Sequence, residues 1–210
     1  MQFTLPQLPI DIQQVKGFMD AQEGAALHHY AAQVAEHGPG LEIGSYCGKS
    51  TVYLGTAFKA AGSLLFALDH HRGSEENQPG WDYHDTDLWD KAADAMDTLP
   101  FLRRTLRAAR LEETVIPLVT RSTLAARFWT MPLSFVFIDG GHTFEAAAND
   151  YRCWAPHVQP GGILAIHDIF PDPADGGQAP YEIYKLALAS GLFEELATVK
   201  TLAVLRRILV

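Results

Sequence analysis

LEIGSYCGKST, residues 41–51, begins as an apolar strand, reaches an acid and a glycine, and enters a helix across a short loop. Gly44 lacks a Cβ, so the backbone at this position can approach a ligand closely. The helix that follows offers unpaired N–H groups and the positive end of its dipole. The stretch therefore predicts a strand–loop–helix site for a nucleotide-like ligand.

Three kinds of ligand are considered for this loop. A phosphate-binding loop needs four residues between its glycine and the Gly-Lys-Ser/Thr group, whereas three separate Gly44 from Gly48. A dinucleotide fingerprint needs a glycine where Tyr46 stands. S-adenosylmethionine carries a cationic amino-acid end and no phosphate, so an acid at Glu42 suits it. The residues favour the third interpretation.

Helical and apolar segments alternate along the chain, which predicts an α/β fold with a mainly parallel sheet covered on both faces. The last two strands are too close in sequence for a crossover and must form a hairpin. We expect a single domain over residues 1–210, with an irregular arm at 1–19 and a lid-like insertion at 70–90. The predicted strands are Leu41–Ile43, Leu64–Leu68, Thr114–Val119, Ser134–Ile138, Ile163–Ile166, Phe193–Thr198 and Leu202–Ile208.

Four local signals give further expectations. Asp20 and Glu23 have the spacing of a capping box and predict the start of a helix. Another helix is expected around Asp90–Met96. Pro117 suits an edge strand because it cannot donate a ladder hydrogen bond. The Pro-Gly-Gly at 160–162 is expected to stop a helix before the fifth strand.

The insertion at 70–90 has no regular period and mixes charge, glycine, proline and aromatic residues. Long irregular segments in compact domains are often functional, so this one is either a lid or a solvated loop pinned by Trp81. Its histidines with Asp85 are also a weak candidate for a second metal site. The side chains expected to line a pocket are His70, His71, Arg72, Glu75, Glu76, Trp81, Tyr83 and His84.

Composition limits the partners. The formal net charge is −9 and no basic run occurs, which disfavours nucleic acid and favours a small molecule. No apolar stretch is long enough to span a membrane. The N-terminus shows no signal-peptide pattern and the two cysteines suggest no disulfide framework, so a cytoplasmic protein is expected.

Polar residues follow several predicted strands. Asp69 ends the second strand and is placed to accept the two hydroxyls of a ribose, although such an acid can also be a helix cap. Asp139 follows the fourth strand, and His167 and Asp168 follow the fifth. Adjacent parallel strands lie about 4.8 Å apart, so these three side chains could surround one ion. Alternatively, the acids are caps and His167 is a core histidine. Carboxylates suit Mg²⁺ or Ca²⁺, whereas an imidazole shifts preference toward Mn²⁺, Fe²⁺ or Zn²⁺.

LEIGSYCGKST resembles motif I of the class I S-adenosylmethionine-dependent methyltransferases, and catechol O-methyltransferase in particular. FVFIDGGHTFEAAANDYRCWAPHVQPGGILAIHDI, residues 135–169, resembles the family that includes the macrocin and mycinamicin sugar O-methyltransferases. The resemblance covers about residues 20–208. It implies a Rossmann-like, doubly wound, seven-stranded sheet of order 3-2-1-4-5-7-6, in which strand 7 is antiparallel.

The resemblance also implies roles for individual residues. Asp139, His167 and Asp168 would hold a divalent metal, although His167 departs from the family, which uses Asp, Glu or Asn there. His142 would be the general base, because the family places a Lys or His at that position; a turn residue is the alternative. The residues implied to contact S-adenosylmethionine are Glu42, Gly44, Ser45, Tyr46, Ser50, Asp69, Ser122 and Asp139.

The sequence therefore predicts a metal-assisted, S-adenosylmethionine-dependent O-methyltransferase acting on a small hydroxylated molecule. Mg²⁺ is the expected ion, with Mn²⁺ or Ca²⁺ as alternatives, and a homodimer is left open. The competing hypotheses are a metal-independent or N-directed methyltransferase, a protein that binds the cofactor without transferring methyl, and a nucleotide hydrolase.

Overall fold

Helices alternate with the strands of the main sheet as far as residue 189, after which a β-hairpin ends the fold. The computed structural model describes residues 2–81 and 84–208. In these ranges the helices are α1 Ala21–Val34, α2 Lys49–Ala60, α3 Leu99–Ala108, α4 Ser122–Ala126, α5 Phe144–Trp154 and α6 Ala179–Ala189. The strands are β1 Gly40–Ile43, β2 Leu65–Asp69, β3 Trp89–Asp90, β4 Ala95–Met96, β5 Val115–Val119, β6 Leu133–Ile138, β7 Val158–Ile166, β8 Phe193–Val199 and β9 Leu202–Arg207.

The main sheet has seven strands in the order β5-β2-β1-β6-β7-β9-β8, which confirms the predicted order. Along this order, neighbouring strands pair in parallel from β5 as far as β7. Strand β9 is antiparallel to both of its neighbours, β7 and β8. Only Lys200 and Thr201 separate β8 from β9, which leaves no room for a crossover and forces the hairpin. Pro117 lies in β5 at the edge of the sheet, as predicted.

Both faces of the sheet are buried under helices. Phe135 and Phe137 of β6 belong to a core shared with α1, α2 and α3. Val136 and Ile138 of the same strand belong to a second core shared with α5 and α6. Because consecutive strand side chains point to opposite faces, a strand covered on both sides is apolar at every position. The prediction of helices on both faces is confirmed.

The helix predicted around Asp90–Met96 is wrong. This segment forms the two-stranded hairpin β3–β4. The Asp90 carboxylate accepts hydrogen bonds from the backbone N–H groups of Ala92 and Ala93, at 2.8 and 3.3 Å, which makes a turn. Asp94 then takes a left-handed conformation with φ of +47°, which a helix interior excludes.

The expected stop at 160–162 also needs correction. α5 already ends at Trp154, and β7 begins at Val158 and runs through the Pro-Gly-Gly segment. The register between β6 and β7 shifts between Leu133 and Phe135, which accommodates the irregular segment. The carboxyl end of β7, which carries His167 and Asp168, lies beside the end of β6 as predicted.

No helix within the described ranges combines the length and the apolar character needed to cross a bilayer.

Candidate functional site at the carboxyl edge of the sheet

The loop after β1 lies directly against the end of β6. Gly44 has φ of +91°, and a Cβ at this position would lie 2.0 Å from the carbonyl oxygen of Asp139. The backbone N–H of Asp139 donates to the carbonyl of Ile43 at 2.9 Å. The missing side chain of Gly44 therefore admits the backbone of Asp139, rather than only a ligand as the sequence suggested. This approach brings the predicted cofactor loop next to the predicted ion site.

Asp69 joins that loop to the end of β2. Its Oδ2 accepts the backbone N–H of Tyr46 at 2.9 Å, and its Oδ1 accepts that of His71 at 2.7 Å. Tyr46 and His71 both have a positive φ, of 47° and 59°, so these contacts hold two strained turns in place. An ionised carboxylate can accept about four hydrogen bonds. Asp69 therefore retains acceptor capacity for a pair of hydroxyls.

Glu42 is completely buried beneath the loop. Its Oε2 accepts the Thr51 hydroxyl at 2.6 Å, whereas its Oε1 has no hydrogen-bond partner among the described residues. Burial raises the pKa of Glu42 to about 7; the Ser50 and Thr51 hydroxyls oppose this rise, and the nearby carboxylates add to it. The hydroxyl of Ser45, also buried, likewise has no partner within the described residues. Two polar groups thus remain unsatisfied beneath the loop, and Ser50 is buried in the first turn of the helix beside them.

Ser122 lies in the first turn of α4. Its hydroxyl accepts the indole N–H of Trp154 at 2.7 Å. Asp150 is buried nearby, and its Oδ2 would lie 2.7 Å from a Cβ placed on Gly140. Burial raises the pKa of Asp150 to about 6, although the hydrogen bond with Ser122 acts to lower it. Ser122 is therefore held beside the site by α5, and its contact with an adenine stays a prediction.

His167 lies between three carboxylates. Its Nε2 is 3.1 Å from Oε2 of Glu23, and its Nδ1 is 3.3 Å from Oδ1 of both Asp139 and Asp168. The imidazole is 7% exposed. Burial alone would lower the pKa of His167, but the surrounding carboxylates outweigh it and hold that pKa far above its usual range. Both ring nitrogens therefore face carboxylate oxygens, which favours a hydrogen-bonding role for this imidazole over metal ligation.

The side chains that converge in the structure differ in one member from the predicted ligand set, which stays a prediction. Within residues 2–81 and 84–208, the one group of three side chains whose ligand atoms converge is Asp139, His142 and Asp168, with all ligand atoms within 4.8 Å of one another. His142 Nε2 lies 2.8 Å from Oδ2 of Asp168. Burial would raise the pKa of Asp168, but His142 and His167 outweigh it and hold that pKa well below its usual range. His142, rather than His167, supplies the imidazole of this group.

The insertion is anchored by Leu88 and His71, which are almost fully buried, and not by Trp81, which is 56% exposed. The group that converges in the described residues does not include the histidines of the insertion, so a second metal site there has no support in this part of the chain. Of the side chains expected to line a pocket, those of Glu76 and Tyr83 lie outside the described residues.

The N-terminal arm binds both the insertion and the loop. Lys16 Nζ lies 2.5 Å from Asp85 and 2.9 Å from Asp87. The ring of Phe18 lies 6.0 Å from that of Tyr46, measured between centroids. The arm and the insertion therefore meet above the loop that follows β1, and a lid function for the insertion stays a prediction.

A family model described as a methyltransferase domain matches residues 41–169. This range contains the loop after β1 and the strand ends that carry Asp69, Asp139 and Asp168. The chain belongs to this family. The resemblance seen in the sequence is thus confirmed, and the protein is an enzyme of the methyltransferase class.

Solved structures share the fold of this methyltransferase at low sequence identity. The O-methyltransferase NovP aligns with 15% identity and a TM-score of 0.67, over 92% of this chain and 84% of its own. TomG from Streptomyces achromogenes, an O-methyltransferase of tomaymycin synthesis solved with S-adenosylmethionine, aligns with 16% identity and a TM-score of 0.62, over 91% and 82%. An rRNA methylase from Streptococcus thermophilus aligns with 14% identity and a TM-score of 0.58, over 91% and 100%. These likenesses establish the fold.

Glu23 of the methyltransferase is the site residue that sequence reasoning assigned to another role. Its spacing from Asp20 suggested a capping box, but only Asp20 caps α1, accepting the N–H of Gln22 at 2.8 Å. The carboxylate of Glu23 is instead buried against His167 and Thr201. Its charged side chain on a helix face that packs against the sheet was the signal that could have identified it.

Glu42 makes the stability of the free methyltransferase depend on pH. The pKa of Glu42 is about 7 in the folded protein, against 4.5 for an ordinary glutamate, so the folded state binds this proton more tightly. Stability from this group is present in full below pH 4.5 and is lost as pH rises to about 7. Between pH 5 and pH 8 we expect wild type to lose about 2–3 kcal/mol more than Glu42→Gln. Urea unfolding of both proteins at the two pH values measures this difference, and equal losses would contradict it.

Proposed function

We propose that this methyltransferase transfers the methyl group of S-adenosylmethionine to a hydroxyl of a small molecule. The supporting observation is the contact between the loop after β1, which would hold the cofactor, and the end of β6, beside the cluster of polar side chains. Unsatisfied acceptors lie beneath the β1 loop, and a cluster of carboxylates and imidazoles follows β6 and β7. The backbone of Asp139 against Gly44 joins the two. A donor bound at the loop is thus adjacent to groups that can activate an acceptor.

The residues of the loop fit the cofactor. Oε1 of Glu42 and the hydroxyl of Ser45 are buried polar atoms without a partner in the described chain, and such atoms are uncommon unless a ligand or water completes them. Glu42 and Ser50 suit the charged amino-acid end, and Asp69 suits the ribose. Gly44 and Tyr46 shape the loop between these groups.

We propose that Asp139 and Asp168 hold a divalent ion, with His142 within reach as a third ligand. The two carboxylates suit Mg²⁺ or Ca²⁺, and an imidazole as third ligand would shift the preference toward Mn²⁺. A bound divalent ion would stabilise the negative charge that develops on the acceptor oxygen. The role assigned to His167 is not ligation but hydrogen bonding to both carboxylates.

His142 is proposed to be the general base. Its Nε2 faces Oδ2 of Asp168 at 2.8 Å, and this contact favours the tautomer with a proton on Nε2. Nδ1 is then the nitrogen that would accept the proton of the acceptor hydroxyl. The carboxylate orients the ring and stabilises the imidazolium that forms, and the loop after β1 holds the donor methyl group on the other side.

The acceptor is proposed to be a small hydroxylated molecule in the cytoplasm, with neither nucleic acid nor a membrane as a partner. The net charge of −9 opposes binding to a phosphate backbone. A homodimer is compatible with these assignments. The deciding experiment compares the melting-temperature shifts produced by S-adenosylhomocysteine, ATP and NAD, with and without Mg²⁺ or Mn²⁺. Methyl transfer to a panel of phenols, sugars, amines and RNA oligonucleotides then follows, with and without EDTA.

Each competing hypothesis predicts a different outcome of this experiment. Methyl transfer that survives EDTA, or that occurs only to amines, supports a metal-independent or N-directed enzyme. A shift with S-adenosylhomocysteine but no transfer to any acceptor supports a binding protein. A shift with ATP alone would overturn the proposal.

Asp139→Asn should remove the part of the melting-temperature shift that depends on the divalent ion. This change replaces a charged oxygen ligand with a neutral amide of the same size, so the ion loses affinity while the shape of the site is kept. The shift with S-adenosylhomocysteine alone should remain within twofold in apparent affinity. Glu36→Gln is the matched control, because that side chain is 72% exposed and outside the group. An unchanged ion response in Asp139→Asn would refute the ion site.

A further inference from the structure

Glu23 reaches the transfer site from a helix outside the range matched by the family model. It lies in the first turn of α1 and is 3% exposed. Oε1 accepts the backbone N–H and the hydroxyl of Thr201, at 2.9 and 2.7 Å. Oε2 faces Nε2 of His167 at 3.1 Å. One carboxylate therefore connects α1, the β8–β9 turn and the end of β7.

The contact between Glu23 and His167 also bears on how the imidazole meets Asp139 and Asp168. With Nε2 facing Glu23, the ring is oriented so that Nδ1 lies 3.3 Å from Oδ1 of Asp139 and 3.3 Å from Oδ1 of Asp168. Oδ2 of Asp168 then remains for His142, which it meets at 2.8 Å. The position of the His167 ring thus decides which carboxylate oxygens face the site.

We propose that Glu23 is a positioning residue: through His167 it holds Asp139 and Asp168 in the arrangement that converges on His142. This inference rests on the proposed function, since it concerns the same ion and base. Glu23 touches none of the three converging side chains in the contacts described, and acts on them through the imidazole. Such partners of ligating side chains orient them and tune their affinity for the ion.

The docking of α1 does not by itself account for this arrangement. The two contacts with Thr201 use Oε1, and Asp20 at the start of the same helix lies 2.5 Å from Lys200 on the same turn. The helix is thus fastened to the hairpin without the second oxygen of Glu23. A buried ion pair is weak support for stability, because removing charges from water offsets most of their attraction. The contact with His167 is better explained by the site that it orients.

The test measures Mn²⁺ binding by electron paramagnetic resonance, without cofactor or acceptor. Glu23→Gln keeps the size of the side chain and removes its charge. We expect it to weaken Mn²⁺ binding by about 10–100-fold, while the affinity for S-adenosylhomocysteine changes less than twofold. Asp20→Asn is the matched control on the same helix turn: it should lower the melting temperature and leave Mn²⁺ binding unchanged. Thr201→Val, which removes only the hydroxyl contact to Oε1, should also leave Mn²⁺ binding unchanged.

A second measurement needs no variant. In the EDTA-treated wild-type protein, proton NMR should show a slowly exchanging Nε2–H of His167, because the contact with Glu23 shields it from water. Rapid exchange of this proton would overturn the proposal, even if Glu23→Gln fails to fold. Mn²⁺ binding by Glu23→Gln that matches Asp20→Asn would overturn it as well. If wild type binds no Mn²⁺, the ion part of the proposed function fails on its own, and the NMR result still decides the role of Glu23.

Discussion

Replacing His142 with glutamine should lower kcat for methyl transfer by about 10²–10⁴-fold, the usual contribution of a general base. The amide keeps a hydrogen-bonding group beside Asp168 but cannot take up the proton of the acceptor hydroxyl. The binding of S-adenosylhomocysteine should be unchanged, because the described contact of His142 is with Asp168 and not with the loop after β1. Single-turnover methyl transfer to the acceptor found in the panel measures the effect.

Binding of Mn²⁺ separates the two possible roles of His142. If it is the base, His142→Gln loses turnover and keeps most of its affinity for the ion; if it is mainly a ligand, both fall together. His37→Gln is the matched control, since that histidine is 60% exposed and lies in a turn after α1. Turnover of His142→Gln within threefold of wild type would contradict both roles.

Gly44→Ala should be among the most destabilising single substitutions in the chain. A methyl group there would lie 2.0 Å from the carbonyl oxygen of Asp139, a backbone atom that cannot rotate away. The left-handed conformation adds about 1–2 kcal/mol, and forced displacement of packed structure adds about 1–3 kcal/mol or more. We expect a loss of at least about 3 kcal/mol in the free energy of unfolding, measured by urea denaturation, together with loss of cofactor binding.

Gly62→Ala separates the cost of the left-handed backbone conformation from the cost of the steric clash at Gly44. Gly62 also has a positive φ, of 67°, but among the described residues no atom beyond its two chain neighbours lies within 4 Å of a Cβ added there. Its substitution should therefore lower stability by only about 1 kcal/mol. If the two alanine variants are equally stable, the clash with Asp139 is relieved by a small shift of the loop, and the close approach does not constrain the site.

The central strands of the main sheet could be predicted because they are short, mainly apolar runs that end at a turn signal or a polar residue. β6 shows this most clearly: its alternate side chains are buried in two different cores, so both faces select apolar residues. The segment at 90–96 failed because its alanines favour a helix, while two hydrogen bonds that the Asp90 carboxylate accepts from the following turn favour the hairpin. Competition between propensity and such local hydrogen bonds cannot be decided from composition.

The positions of the acids in the site could be predicted from the sequence, whereas the contacts of the two histidines could not. Asp139 and Asp168 follow adjacent strands, and the parallel pairing of β6 with β7 brings them together as expected. That His142, and not His167, converges with the two acids was not predictable in this way. The two side chains are distinguished by which carboxylate each one faces, and Glu23 comes from a helix that is distant in sequence.

From its sequence alone, the chain specifies the strands of the main sheet, the loop at 41–51 and the acids at the strand ends, because these depend on local apolar runs and on the spacing of residues along one strand. The order of the strands came from the resemblance to the methyltransferases. Tertiary structure decides which groups each imidazole faces. The carboxylates of Glu23, Asp139 and Asp168 converge on His167 from separate elements and raise its pKa, because Coulomb interactions depend on distance in space, not on separation along the chain.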